Sequence, residues 1–271
     1  MPSIPRFTSI SCENLLRLIG TPAAPLLIDV TTDDDVALDP SVIPTARRIS
    51  HKDIAAIADR SPARGVVVIC HKGLKLSHGA AALLRTHGIQ AEALEGGNVA
   101  WRAARYPRIP VSSLPPDTPG SVWVTRHRPK IDRIACPWLI RRFVDPDARF
   151  LFVPPTEVLS VAEKFNATAF DVPDARWTHE GPLCTFDTML DGFGLRTPAL
   201  DHMARIIRGA DTNDHSLAPE CAGLLAMSVG LSRAYSDDLA QLEAGLTLYD
   251  ALYRWARDGQ GEGHDWQEVT Q

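Results

Sequence analysis

One junction constrains this chain more than any other. The apolar, β-branched run Gly65-Val66-Val67-Val68-Ile69 leads directly into Cys70-His71-Lys72-Gly73-Leu74-Lys75, and a small-residue stretch, Ser77-His78-Gly79-Ala80-Ala81-Ala82, follows at once. A short apolar run of this kind suits a strand buried on both faces, the setting of a parallel sheet. The Ala-rich stretch that follows predicts a helix over 77–86. A strand that turns straight into a helix collects unpaired backbone N–H groups and the positive end of the helix dipole. A sulfur anion placed there is favoured, and His71, Lys72 and Lys75 add positive charge around it. Gly73 lets the loop curl back so that its amides face the sulfur. The pattern marks Cys70 as a nucleophile beside an oxyanion site.

The rest of the first hundred residues agrees with an α/β layout. Leu26-Leu27-Ile28-Asp29-Val30 reads as a second buried strand, and helical stretches alternate with the strands, which predicts a parallel sheet with flanking helices. Pro107 to Pro119 holds five prolines and no helical period, so it reads as an extended linker. The predicted division is a first domain over 10–112, a proline-rich linker over 113–120, a second domain over 121–257 and a flexible tail over 258–271.

The second domain is expected to be α+β and mainly helical. Ser121 to Thr125 and Arg149 to Val153 read as strands. Helices are expected over Ile131 to Phe143, Pro198 to Arg208, Ala218 to Ser232 and Asp237 to Arg257. The last has Ser236 as its expected N-cap, an apolar face of Leu239, Leu242, Leu246, Tyr249 and Tyr253, and Gly259 as its stop.

Charge separates the two halves. Residues 1–112 carry 13 Lys and Arg against 10 Asp and Glu, while the remainder carries 15 against 23. The first half is mildly suited to anionic substrates, and the carboxylates of the second serve either a metal or the solvated surface. Five widely spaced cysteines without a CxxC pair exclude a disulfide framework and a zinc ribbon. No apolar run approaches the ~20 residues of a membrane span. The first residues lack the basic start and apolar stretch of a secretory signal, so a cytoplasmic location is expected.

The Cys70 loop resembles the six-residue active-site loop of the rhodanese-like sulfurtransferases. Ile28-Asp29-Val30, followed by Ile43-Pro44-Thr45-Ala46, looks like the strand and proline turn that open that family's sheet. Leu94-Glu95-Gly96-Gly97-Asn98-Val99-Ala100-Trp101 is similar to its closing strand and turn. The resemblance implies a persulfide on Cys70 inside a cradle of His71, Lys72, Gly73, Leu74 and Lys75. It also implies a small anionic sulfur donor such as thiosulfate and a thiol acceptor. The chain departs from the family in having Lys75 at the last loop position, commonly Arg, and Thr31 after the Asp-Val pair, often Arg. Lysine offers a point charge without the bidentate fork of arginine.

The second half holds a basic string in which Arg126, Arg128, Lys130 and Arg133 crowd a strand end and a helix start. Such a cluster either holds a tetrahedral oxyanion or phosphate, with Arg126, Lys130 and Arg133 as the candidates, or is a basic surface with Asp132 as a helix cap. Further on, His179, Cys184, Asp187, His202, Asp211 and His215 scatter imidazole, thiol and carboxylate donors without a standard local metal spacing. The Lys130-Ile131-Asp132-Arg133-Ile134-Ala135-Cys136 string and the string from His179 to Cys184-Thr185-Phe186-Asp187 together resemble the C-terminal domain of the chromate-resistance protein B family. Members of that family tend to have Glu where this chain has Asp187. The resemblance implies a role in chromate resistance, with chromate itself as a second anion.

No motif demands a cofactor. If a divalent metal is bound, His179, Asp187 and Asp211 are its expected ligands, and two carboxylates with one imidazole suit iron, manganese or zinc. Cys136 and Cys184 are either redox thiols or buried residues, with burial favoured for Cys136 among Ile134, Trp138 and Leu139. Three functions follow: a sulfurtransferase fused to a chromate-resistance domain, a chromate-responsive DNA-binding regulator, and a metalloenzyme acting against oxidative stress. Against the regulator stand the net charge of −5 and the lack of a helix-turn-helix pattern, so nucleic acid is not an expected partner.

Overall fold

A computed structural model describes residues 8–60 and 64–263. The first unit contains β1 (Ser9–Ile10), α1 (Cys12–Leu18), β2 (Leu26–Asp29), α2 (Asp33–Leu38), β3 (Ser41–Val42) and β4 (Arg47–Arg48). A 3-10 helix, His51–Arg60, leads to β5 (Val66–Ile69), α3 (Lys75–Thr86), β6 (Ala91–Leu94) and α4 (Gly97–Ala103). Five of the strands form one parallel sheet in the order β1-β6-β5-β2-β4. The helix starts are capped as their sequences dictate. Ser11 accepts from the amide of Asn14, and Thr32 accepts from that of Asp35 with three aspartates in the first turn of α2.

Alternation along β5 explains why it is apolar throughout. Val66 and Val68 face one buried cluster with Ile28, Ile54, Ala81 and Leu84, beneath α3. Val67 and Ile69 face the opposite cluster with Leu27, Leu94 and Trp101. Each such side chain contributes about 1.5–3 kcal/mol on burial.

That second cluster does not stop at the domain edge. It runs on through Trp123, Trp138, Phe143 and Tyr253 of the second unit, so the two halves share a contiguous core. The proline-rich segment is packed rather than free. β7 (Ile109–Pro110) pairs antiparallel with β3, the Trp101 indole donates to the Pro107 carbonyl at 2.9 Å, and Ser113 is buried. Proline lacks the N–H, but its carbonyl and its neighbours still find partners, which a reading of composition alone misses. Across the junction, the Thr45 amide donates to the Phe143 carbonyl at 2.9 Å and Arg47 pairs with Asp147 at 2.8 Å. Gly20 (φ +78°) lies so close that an added Cβ would fall 2.3 Å from the Phe143 ring.

The second unit is built on a three-stranded parallel sheet in which β8 (Val122–Arg126) lies between β9 (Arg149–Val153) and β10 (Thr168–Ala169). The helices are α5 (Asp132–Leu139), α6 (Val158–Lys164), α7 (Thr185–Phe193), α8 (Pro198–Asp211), α9 (Cys221–Ala234) and α10 (Asp238–Arg254). The fold is thus a parallel-sheet α/β domain with flanking helices followed by an α+β, mainly helical one.

Three local expectations are corrected. The helix expected over 131–143 is α-helical only to Leu139 and continues as a π-helical turn, Ile140–Val144; Pro137 inside it lacks the N–H that one rung of the ladder needs. The last helix is capped by Asp237, not Ser236, through a 2.7 Å bond from the Ala240 amide. Leu239, expected on the buried face, is half exposed, while Gln241 is buried and donates to the Pro129 carbonyl. This helix passes into a π-helical turn ending at Gly259; the rest of the expected tail, from 264 on, lies outside the described residues. Among the described residues no helix is long and apolar enough to cross a membrane.

Candidate functional sites in the two domains

Cys70 lies where the strand of Val66–Ile69 ends, with the helix beginning at Lys75 following within one loop. It is buried, and its thiol donates to the Ser77 hydroxyl at 3.2 Å, which donates in turn to the Leu74 carbonyl at 3.2 Å. His71 is half-buried, Gly73 is buried, and Lys72, Leu74 and Lys75 are exposed around the loop. Two glycines set the loop's path. Gly73 (φ +63°) has no room for a Cβ, which would lie 2.5 Å from the Leu94 carbonyl oxygen, and a Cβ on Gly97 (φ +56°) would lie 2.0 Å from the Cys70 carbonyl oxygen. The Asn98 and Val99 amides close this contact by donating to the Cys70 and His71 carbonyls at 3.1 and 3.0 Å.

Asp29 ties the same region to the neighbouring strand. Its buried carboxylate accepts from the Thr31 amide at 2.9 Å, from the Thr31 hydroxyl and from the Asn98 amide group at 3.1 Å. Thr31 therefore braces the C-terminal end of β2, inside the sheet, rather than presenting a charge. Ser77 and Asn98 were not singled out from sequence, although both stand within the motifs that were.

The second domain gathers a different set. His179 Nε2 lies 3.5 Å from Asp132 Oδ2, 3.4 Å from Asp171 Oδ1 and 3.3 Å from Asp211 Oδ2. Asp132 opens α5 and is 1% exposed; it accepts from the Thr185 and Phe186 amides at 2.6 and 3.3 Å, so it caps the start of α7 from across the domain. Its approach is fixed by an uncommon backbone. Ile131 has φ +45°, rare for a β-branched residue, and it is held by the Ser228 hydroxyl on its amide and by the Tyr249 hydroxyl on its carbonyl, both at 3.0 Å. Asp171 accepts from Arg126 at 2.8 Å and lies 3.3 Å from Arg133 Nε. Asp211 ends α8, at the negative end of that helix.

These carboxylates disturb one another. Burial pushes the Asp132 carboxyl up to about 8, with the nearby Asp211 and Asp171 adding to the rise. Burial and Asp171 raise Asp211 as well. At Asp171 burial is outweighed by hydrogen bonds from His179 and Arg126, which hold it low. His179 is raised by its bond to Asp171 and by the surrounding carboxylates, against some desolvation.

The expected ligand set is thus only partly brought together. His179 and Asp211 meet, and with Asp132 their donor atoms all lie within 4.8 Å of one another. Asp187 does not join them. Its carboxylate accepts from the Cys184 amide at 3.3 Å and from Arg208 at 3.2 Å, with Arg196 at 3.6 Å, so it is consumed as a capping residue and ion-pair partner at the start of α7. Asp132 and Asp171 were missed because their partners are distant in sequence. The predicted anion group also dissolves. Arg126 and Arg133 converge on Asp171, and Lys130 is exposed apart from them. Cys136 and Cys184 are fully buried, and burial pushes both thiols up.

A parallel sheet with a cysteine loop opening a helix at its centre is a rhodanese-like arrangement, and residues 11–104 match the family profile of the rhodanese-like domain. Residues 123–256 match that of the ChrB C-terminal domain. Each of the two domains thus matches one family profile, the first that of the rhodanese-like domain and the second that of the ChrB C-terminal domain. Protein ChrB of Cupriavidus metallidurans is 34% identical over 135 residues, 49% of this chain and 40% of that protein. The chain thus spans two fifths of the length of this curated relative. Among solved structures, thiosulfate sulfurtransferase from Pseudomonas aeruginosa is 26% identical, with a TM-score of 0.33, over 40% of this chain and 20% of that one. A rhodanese-related protein from Thermoplasma volcanium is 23% identical, with a TM-score of 0.32, over 38% and 98% respectively.

Proposed function

We propose that the N-terminal domain is a sulfurtransferase that carries a persulfide on Cys70, and that the fused ChrB-type domain sets this chemistry to work in the detoxification of chromate or a similar oxyanion. The observation that carries the reading is the position of Cys70: it ends the strand of Val66–Ile69, in a loop whose backbone is bound to the Gly96-Gly97-Asn98 turn. In the reaction, the Cys70 thiolate attacks the outer sulfur of thiosulfate. The new S–S bond leaves Cys70–S–S⁻, the old one breaks, and sulfite departs with the electron pair. Lys72 and Lys75 supply positive charge for the dianion, with His71 beside them, and a thiol acceptor then takes the outer sulfur.

The chromate context rests on the ChrB-type domain and on shape and charge: thiosulfate and chromate are both tetrahedral dianions. The basic stretch from Arg126 to Arg149 is the one feature in favour of the DNA-binding alternative, and several of its arginines are engaged within the chain. Arg141 pairs with Glu243, Arg142 with Asp250, and Arg128 with Asp238 and Ser232 through its amide and guanidinium respectively.

The test is turnover of thiosulfate with cyanide as acceptor, followed as thiocyanate. Wild type is expected to turn over and Cys70→Ser to be silent. Equal rates from both proteins contradict the reading.

A further inference from the structure

We infer that Asp132, His179 and Asp211 form a binding site for one divalent transition-metal ion, with Asp171 as a neighbouring carboxylate that braces it through Thr185. This is independent of the sulfur chemistry at Cys70.

The donors come from three separate elements: the first residue of α5, the last residue of α8 and the irregular segment before α7. Two of the three donor–donor spacings match the edges of a coordination polyhedron, and the third lies within 4.8 Å. Ligand bonds of about 2.1 Å in a tetrahedral arrangement imply ligand–ligand edges of about 3.4 Å. The His179 Nε2 separations from Asp132 and Asp211 are 3.5 and 3.3 Å.

Electrostatics point the same way. Arg126 and Arg133 both pair with Asp171, and among the described residues neither Asp132 nor Asp211 forms an ion pair with a Lys or Arg; His179 faces both. Asp132 is nine-tenths and more buried, and Asp211 lies at the negative end of a helix, where a carboxylate is disfavoured. Two such carboxylates beside an imidazole make a donor set that a bound cation would neutralise.

Asp171 completes the arrangement. Its Oδ2 accepts from Arg126, its Oδ1 accepts from the Thr185 hydroxyl at 3.1 Å, and Thr185 also donates its amide to Asp132. Carboxylates bonded to metal ligands or their carriers fix ligand orientation in this way. An imidazole and two carboxylates make a mixed donor set suited to Mn(II), Fe(II) or Zn(II). His179 is 41% exposed, so the ion's outer face opens to solvent and takes water or a small oxyanion.

The test uses the full chain, stripped with a chelator and dialysed against Mn(II), Zn(II) or, under anaerobic conditions, Fe(II), with bound metal then measured. Wild type is expected to retain a single ion per chain for at least one of the three metals and to melt at a higher temperature when loaded. His179→Ala and Asp211→Asn are each expected to weaken binding on the order of tenfold or more. Both residues are partly exposed, so these variants are expected to keep the fold, with unchanged circular dichroism as the check. Cys70→Ala is expected to bind as wild type does, which separates failure here from failure of the sulfurtransferase reading. Retention of no ion by wild type, or undiminished binding in both His179→Ala and Asp211→Asn, overturns the inference.

Discussion

The Asn98 amide donates to the Cys70 carbonyl at 3.1 Å, so the nucleophile loop and the turn that closes the sheet are one structural piece although 28 positions separate them. Gly97 makes the contact possible. Gly97→Ala places a Cβ where the Cys70 carbonyl now stands, at a left-handed φ. The substitution is expected to cost on the order of 2–4 kcal/mol and to abolish sulfur loading on Cys70, measured by denaturant unfolding and by intact mass.

Asn98 has a second task. Its side chain donates to the buried carboxylate of Asp29 at 3.1 Å and to the Thr31 hydroxyl at 3.0 Å. Asn98→Ala leaves Asp29 short of a donor and is expected to destabilise the protein by about 1–3 kcal/mol, read from chemical unfolding. A neutral result would show that water replaces the amide without loss.

The metal-free second domain has a stability that depends on pH in a defined direction. The Asp132 carboxyl titrates near 8 when folded and near 3.8 when unfolded, so the folded state binds its proton more tightly. Its contribution is complete below about 4 and is lost as pH rises through 8. His179, also raised, acts in the same direction, its contribution complete below 6.5 and lost above that. Asp171, held low, acts oppositely and only in acid: its contribution is present above 3.8 and lost as pH falls further. Melting temperatures of chelator-treated protein are expected to fall between pH 5 and 8, and Asp132→Asn is expected to flatten that slope.

Asp187 separates the sequence reading from the structural one. Its carboxylate is 1% exposed and serves Arg208 and the start of α7. Asp187→Asn is expected to destabilise the protein by about 3–5 kcal/mol, the cost typical of breaking a buried pair, read from chemical unfolding, while leaving metal retention intact. Loss of the metal without loss of stability would restore Asp187 to the ligand set.

The shared core predicts cooperative unfolding. Phe143 and Tyr253 of the second domain meet Gly20 of the first, and Trp101 belongs to the same buried cluster as Trp138. Calorimetry of the full chain is expected to show one transition. Gly20→Ala, which inserts a methyl group 2.3 Å from the Phe143 ring, is expected to lower it or to split it in two.

The difference between what could be read from residues and what could not lies in sequence distance. Cys70, Gly73 and the strand before them are contiguous, and the alternation along Val66–Ile69 carries its own record of two buried faces. Even the proline turn and the Gly96-Gly97 turn announce themselves by backbone demands that few residues meet. The second site is assembled from positions 132, 171, 179 and 211, and no local period links them. Asp132 was legible as a cap, but the helix it caps begins 53 residues later, at Thr185. Asp187 was misread because it shares a short string with His179, while the helix turns it toward Arg208 instead. The arginine cluster was misread for the same reason: the carboxylate that neutralises it, Asp171, is 45 positions from Arg126.

The measurement that tests the central claim most directly is the intact mass of the protein after thiosulfate treatment, wild type beside Cys70→Ala. The account predicts one added sulfur atom, about 32 Da, on wild type alone, removable by a thiol. An unchanged wild-type mass, or the same added mass on Cys70→Ala, would contradict it.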